Sequence, residues 1–168
     1  MAIWYDLYTG KTRSGSQEIY DTNNQQAAGL VAVSVTPAVP TSFQFYIKRD
    51  SATGTLRAGY VDSTATTIYS ADVDVSTISN SSFELVTFTF TGNTTTSSDR
   101  VYVVEGSTGL SGRMEIGTMT SGLNSDWNGT TFNSPSWNNN ASWQTMCILN
   151  TAASPSPSSG TRLPPSRS

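Results

Sequence analysis

The chain has 168 residues, enough for one domain with a real core and too few to expect two. Only 12% of them are charged, the formal net charge is −3, and Lys48-Arg49 is the only adjacent basic pair; together these exclude the basic stripe that a nucleic-acid partner needs. Cys147 is the sole cysteine and histidine is absent, which rules out an intrachain disulfide, a CxxC metal site, most zinc sites and the Ser-His and Cys-His nucleophile pairs.

Serine and threonine supply roughly 30% of the chain, a profile that suits β-structure and surfaces facing the outside of cells or virions. The 36% hydrophobic content, with seven Tyr, six Phe and four Trp, argues against disorder over most of the length. The opening MAIWYDLYTG places Asp6 early and has no basic region ahead of an apolar run, so it does not read as a signal peptide. No stretch approaches the roughly 18 to 20 apolar residues that would cross a bilayer as a helix.

In chain order, Ile3, Tyr5 and Leu7 alternate with Trp4, Asp6 and Tyr8, which predicts a short strand with apolar side chains on both faces. Residues 1–28 read either as an edge strand closing one sheet or as an arm laid on a neighbour, with Ile3, Trp4, Tyr5, Leu7 and Tyr8 as the assembly candidates. Leu30 to Thr36 is expected as a strand with Val31, Val33 and Val35 on one face, closed by Pro37 and Pro40. Phe43, Phe45 and Ile47, then Leu56, Ala58 and Tyr60, alternate with more polar neighbours and predict two half-buried strands. The link Arg49 to Gly54 reads as the connection of a hairpin, with Gly54 free to take positive φ.

Thr67 to Ile78 is expected to turn Val73 and Val75 inward and Asp72, Asp74 and Ser76 outward. In Phe83 to Thr91, Val86, Phe88 and Phe90 are expected inside and Thr87, Thr89 and Thr91 outside. Separate strands follow at Arg100 to Glu105 and Gly112 to Thr118, the latter carrying Met114 and Ile116. Gly117, Gly122 and Gly129 then punctuate a long loop before a last strand from Trp143 to Leu149, in which Cys147 is a small buried hydrophobe. Strands about 8 to 14 residues apart without a helical period indicate an antiparallel sandwich over residues 29–152. The Pro- and Ser-rich tail, 153–168, is not expected to pack by itself.

The phrase "SFQFYIKRDSATGTLRAGYVDS", with "FELVTFTFTG" and "DRVYVVEGS" after it, resembles a family of jelly-roll β-sandwich modules. These are similar to carbohydrate-binding modules and recur in virus structural proteins, tail adhesins and large microbial surface proteins. The resemblance covers about Leu30 to Asn150 and implies an all-β, single antiparallel jelly-roll sandwich with an N-terminal arm and an extended C-terminal tail. It brings no catalytic motif with it.

The stretch "NSDWNGTTFNSPSWNNNASW" mixes flat aromatics with amides, the combination that stacks on sugar rings and bonds their hydroxyls. Trp127, Phe132, Trp137 and Asn138 are therefore the glycan-binding candidates, while the blander reading places Trp137 over one open end of the sandwich and Trp143 in a core strand. Asp62, Asp72 and Asp74 are candidates for a Ca²⁺ site, since hard cations gather oxygen ligands from loops. Asp72 and Asp74, two apart on one strand, fit edge-strand solubilisers better than a glycosidase pair, which needs carboxyls across a cleft. Asn80, Asn93, Asn128 and Asn140 head N-glycosylation triplets, all in expected turns or loops.

These observations lead to a non-enzymatic structural or attachment protein of a virus particle, such as a decoration, turret or tail-adhesin subunit on the virion surface. Its expected partners are copies of itself, other particle proteins and host glycans, with no cofactor beyond a candidate Ca²⁺. The alternative is a glycan-binding module or subunit of a cell-surface or extracellular filament. A glycoside-active enzyme is the third class.

Overall fold

The computed structural model describes residues 1–21, 26–92, 94–133 and 136–152. In chain order its strands are β1 (Ala2–Asp6), β2 (Gly15–Asp21), β3 (Gln26–Ala32), β4 (Pro40–Arg49), β5 (Thr53–Asp62), β6 (Thr67–Tyr69), β7 (Val73–Asp74), β8 (Glu84–Thr89), β9 (Thr96–Met119), β10 (Trp127–Asn133), β11 (Ser136–Asn140), β12 (Gln144–Thr145) and β13 (Cys147–Thr151). Among the described residues the chain is all-β, paired antiparallel throughout, and the only helical piece is a 3₁₀ turn at Val75–Thr77.

The strands form one curled sheet with a sandwich-like arrangement of two layers. In the first, β4 lies between β8 and β13, with β1 outside β13 and β2 outside the second half of β9. In the second, the order runs from β6 and β7 through β5, the first half of β9, β3 and β10 to β11. The segments expected as separate strands at Arg100 to Glu105 and Gly112 to Thr118 are thus one 24-residue strand serving both layers.

The expected hairpin is not a hairpin. β4 bonds to β8, β13 and β9, whereas β5 bonds to β6, β7 and β9, so the two strands belong to different layers. Period-two alternation reports which face is buried but not which neighbour is paired, and a polar link serves a crossover as well as a turn. Here the link crosses beside β9: the Asp50 and Ser51 amides both donate to the Arg113 carbonyl, at 3.1 and 3.3 Å, and Ala52 is buried. Gly54 does adopt positive φ, +101°, and a Cβ there would fall 1.9 Å from the Gly109 carbonyl oxygen.

Across the core, Phe43 meets Tyr60 at 6.2 Å and Phe90 at 4.8 Å, and Tyr60 meets Phe90 at 5.1 Å. Phe45 and Phe88 approach edge to face at 6.2 Å. Ile47, Leu56, Ala58, Met114, Ile116 and Cys147 are fully buried around them, and Val86, Phe88 and Phe90 face inward with Thr87, Thr89 and Thr91 exposed, as their alternation predicts. Two inward sets differ from expectation. β3 starts earlier and turns Ala28 and Leu30 inward, leaving Val33 58% exposed past its end. The segment from Thr67 to Ile78 breaks into β6, β7 and the 3₁₀ turn, with Val75 buried and Val73 half-buried.

The boundary expected at residue 28 runs through the middle of β3, and both β1 and β2 pair with strands of the same chain. The tail 153–168 lies outside the described residues.

Phe88 is wholly buried in the edge-to-face pair, so Phe88→Ala is expected to cost about 3–5 kcal/mol. Chemical denaturation of the variant checks this, and a midpoint equal to that of the parent would show the strand to be misplaced.

Candidate functional site

On the first half of β9, Val101 and Val103 point into the core, so Arg100, Tyr102 and Val104 point outward. Directly opposed residues of an antiparallel pair share a face, and the register carries this outer face across the second layer. Tyr102 stands opposite Gly59 on β5 and Gly29 on β3, and Gly59 stands opposite Tyr69 on β6. One row along, Phe132 on β10 stands opposite Ala27 on β3 and Trp137 on β11.

The two rows meet through their rings. Tyr102 and Trp137 are 5.0 Å apart, and Phe132 and Trp137 5.2 Å apart. Ala27, Tyr69, Tyr102, Val104, Phe132 and Trp137 line a groove of about 200 Å³. This is below the roughly 300–1,000 Å³ of pockets that enclose drug-sized ligands, and fits a single flat group laid on the aromatics.

Glycine lets the strands that carry the groove come close together. A Cβ on Gly29 would sit 2.0 Å from the Val101 carbonyl oxygen and 2.5 Å from Tyr102 Cα, so only a bare backbone lets β3 come this close to β9. A Cβ on Gly59 would stand 3.2 Å from both the Tyr69 and Tyr102 rings, which meet over it. Two guanidinium groups flank the aromatics. Arg57 lies 3.8 Å over the Tyr69 ring, and Arg100 lies 4.8 Å over Trp137 while bonding Asp99 at 2.7 Å. Burial, then the neighbouring Tyr69 hydroxyl, pushes the Tyr102 phenol up, which keeps it a neutral donor through the physiological range.

Of the four residues proposed from sequence, two line this groove. Trp127 does not: it is 2% exposed, with Trp4 and Tyr5 edge to face against it at 5.7 and 5.4 Å, and so presents no open ring face. Asn138 pairs with Thr131 rather than with Phe132, which puts it on the opposite face of β11 from Trp137. The stretch expected as a loop is mostly the β10–β11 pair, with Phe132 and Trp137 brought together by register. Tyr69, Tyr102, Arg57 and Arg100 went unremarked in the sequence because they come from strands up to 80 residues away from Trp137 (137 − 57 = 80). Of these only the outward position of Arg57 was implied, by the alternation of Leu56, Ala58 and Tyr60 on its strand.

The three aspartates do not assemble. Asp62 accepts from the Thr64 hydroxyl and amide and from the Thr66 amide, and these bonds hold its carboxyl below the usual range. Asp72 accepts from the Ser107 amide and hydroxyl and from the Thr55 hydroxyl, while Asp74 caps the 3₁₀ turn through the Ser76 amide. Asp62 and Asp74 each serve a local turn while Asp72 ties its segment to β5 and β9, and no group of three acidic or other metal-ligating side chains forms among the described residues.

Among the assembly candidates, Leu7 is buried in the chain's own core, Tyr8 packs on Tyr46 at 5.1 Å, and Ile3 is 63% exposed. Asn80 is exposed in the turn before β8. Asn128 lies within β10 and Asn140 ends β11, so neither is in a loop, and Asn93 lies outside the described residues.

Comparison with protein-family models, with curated proteins and with solved structures finds no match for this chain.

Tyr5 ties β1 to the start of β10 by donating to Asp126 Oδ2 at 2.9 Å. Burial, then this carboxylate, raises its phenol from 10.0 to about 12. A folded value above the unfolded one makes the contribution complete below about pH 10 and lost as pH rises through about 12. Urea midpoints should therefore fall between about pH 9 and pH 11, and fall less in Tyr5→Phe. An equal fall in the variant would remove Tyr5 as the source.

Proposed function

We propose that this chain is a non-enzymatic attachment or structural subunit of a virus particle, built as a jelly roll and working as an oligomer on the virion surface. The observation that carries the attachment role is the groove lined by Tyr69, Tyr102, Phe132 and Trp137 on the outer face of the second layer. Aromatic side chains on an outer sheet face do nothing for the core between the layers. Rings that carry phenol hydroxyls, Tyr69 and Tyr102, beside the Trp137 indole suit the apolar face and hydroxyl rim of a sugar. The virion setting rests on the resemblance of the "SFQFYIKRDSATGTL" and "FELVTFTF" phrases, and the two-layer arrangement of antiparallel strands agrees with a jelly roll.

A catalytic reading draws no support from the carboxylates, which are engaged separately by neighbouring hydroxyls and amides rather than facing each other over a cleft. The same groove favours a second reading, a glycan-binding module of a cell-surface or extracellular filament. The two differ in where the chain is found and in how many copies, which mass spectrometry of purified particles or filaments decides.

The groove itself is tested by a glycan array. Hits should appear with the parent and vanish with Trp137→Ala, whose melting temperature should stay near that of the parent because the ring is only half-buried. An empty array, or hits untouched by the substitution, would remove the attachment role.

A further inference from the structure

The groove is not electrically neutral. Its two cations, Arg57 on β5 and Arg100 on β9, stand at its margins in a chain whose net charge is −3. They are held differently. Arg100 is already neutralised by Asp99 at 2.7 Å and rests on Trp137. Arg57 has its Cζ 3.8 Å from the centre of the Tyr69 ring, a stacking distance, and takes part in none of the ion pairs found among the described residues. Asp72 feels its charge, but its bonds from Ser107 and Thr55 gather on Oδ2 and it forms no ion pair with Arg57. Tyr69 is 42% exposed, so the stack stands at the open lip of the groove.

A guanidinium lying flat on a ring has its in-plane N–H fork directed sideways, the geometry that receives a carboxylate or sulfate in two parallel bonds. The stacked ring also restrains the side chain, so less rotamer freedom is lost when an anion arrives. On the proposal that the groove holds a sugar, we infer that the sugar is acidic: a saccharide whose ring stacks on Trp137 and whose carboxylate or sulfate pairs with Arg57. A nucleic-acid strand offers aromatic bases and anions too, but its phosphates recur along the backbone and call for a basic track, which this acidic chain lacks.

The test is a titration of the full chain with matched short saccharides that differ only in the terminal group: a uronic acid, its neutral hexose counterpart, a sialylated and a desialylated form, and a sulfated form, beside an oligothymidine. The expected result is binding of at least one acidic member about tenfold tighter than its neutral partner, the scale of a paired charge-assisted bond at a half-exposed site. That preference, read as the ratio of acidic to neutral affinity within each protein, should weaken with added salt and disappear in Arg57→Gln. The uronic, sialylated and sulfated arms identify which anion is taken. Equal binding of acidic and neutral members, lost in Trp137→Ala, would overturn the acidic preference and leave the sugar site standing. Binding of none of them would overturn both, and tighter binding of oligothymidine than of any saccharide would overturn the assignment to sugar.

Discussion

The fold depends on one strand being shared. β9 hydrogen-bonds to β5 and β3 with its first half and to β2 and β4 with its second, so the two layers are joined through continuous main chain. Passing from one layer to the other requires a bend, and the bend requires backbone that side chains would obstruct. Gly109 and Gly112 take φ of +71° and +86°, and a Cβ on Gly112 would lie 2.6 Å from the Ser51 carbonyl oxygen. The β4–β5 link passes over this point, which is why β4 and β5 end in opposite layers with Phe43 and Tyr60 facing across the core.

Close backbone approach also makes the two outer faces, and the two have different characters. On the first layer, Gly117 leaves room for Tyr46, which meets Phe83 at 5.3 Å, with Arg13 4.4 Å above the Phe83 ring. The charges beside it satisfy one another: Arg113 bonds Glu18 and Asp50 at 2.6 Å, and Lys48 lies 3.4 Å from Glu115. Such half-exposed pairs add little stability, about 0–1 kcal/mol each, but they leave the face without a strong local charge. On the second layer, Gly29 and Gly59 admit the tyrosine rings, and the aromatics form a groove instead of a cover. The difference between a self-satisfied face and an open aromatic one is what the proposed binding role of the second layer rests on.

Much of the core was legible because burial alternates along β4, β5 and β8. Phe43, Phe45 and Ile47 could hardly face water, and Gln44, Tyr46 and Lys48 between and beyond them stay half-exposed. Pairing was not legible, because the same alternation fits a hairpin and a crossover, and nothing within Arg49 to Gly54 distinguishes them. The β10–β11 pair was hidden for a different reason. Its Asn, Ser and Gly residues have low strand propensity, and the pairing rests on partners far away in sequence: β3 supplies Ala27, Gly29 and Leu30 opposite Phe132, Thr130 and Gly129. The groove was half visible as an aromatic cluster. Composition alone could not tell Trp127 from Trp137, since what separates them is which face of the sheet each occupies.

The indole N–H signals of the four tryptophans report on that separation directly. In a ¹H–¹⁵N spectrum recorded while a bound saccharide is added, the Trp137 indole should shift with the ligand while the Trp127 indole, sealed under Trp4 and Tyr5, should stay in place. A spectrum in which Trp127 moves and Trp137 does not would contradict the account.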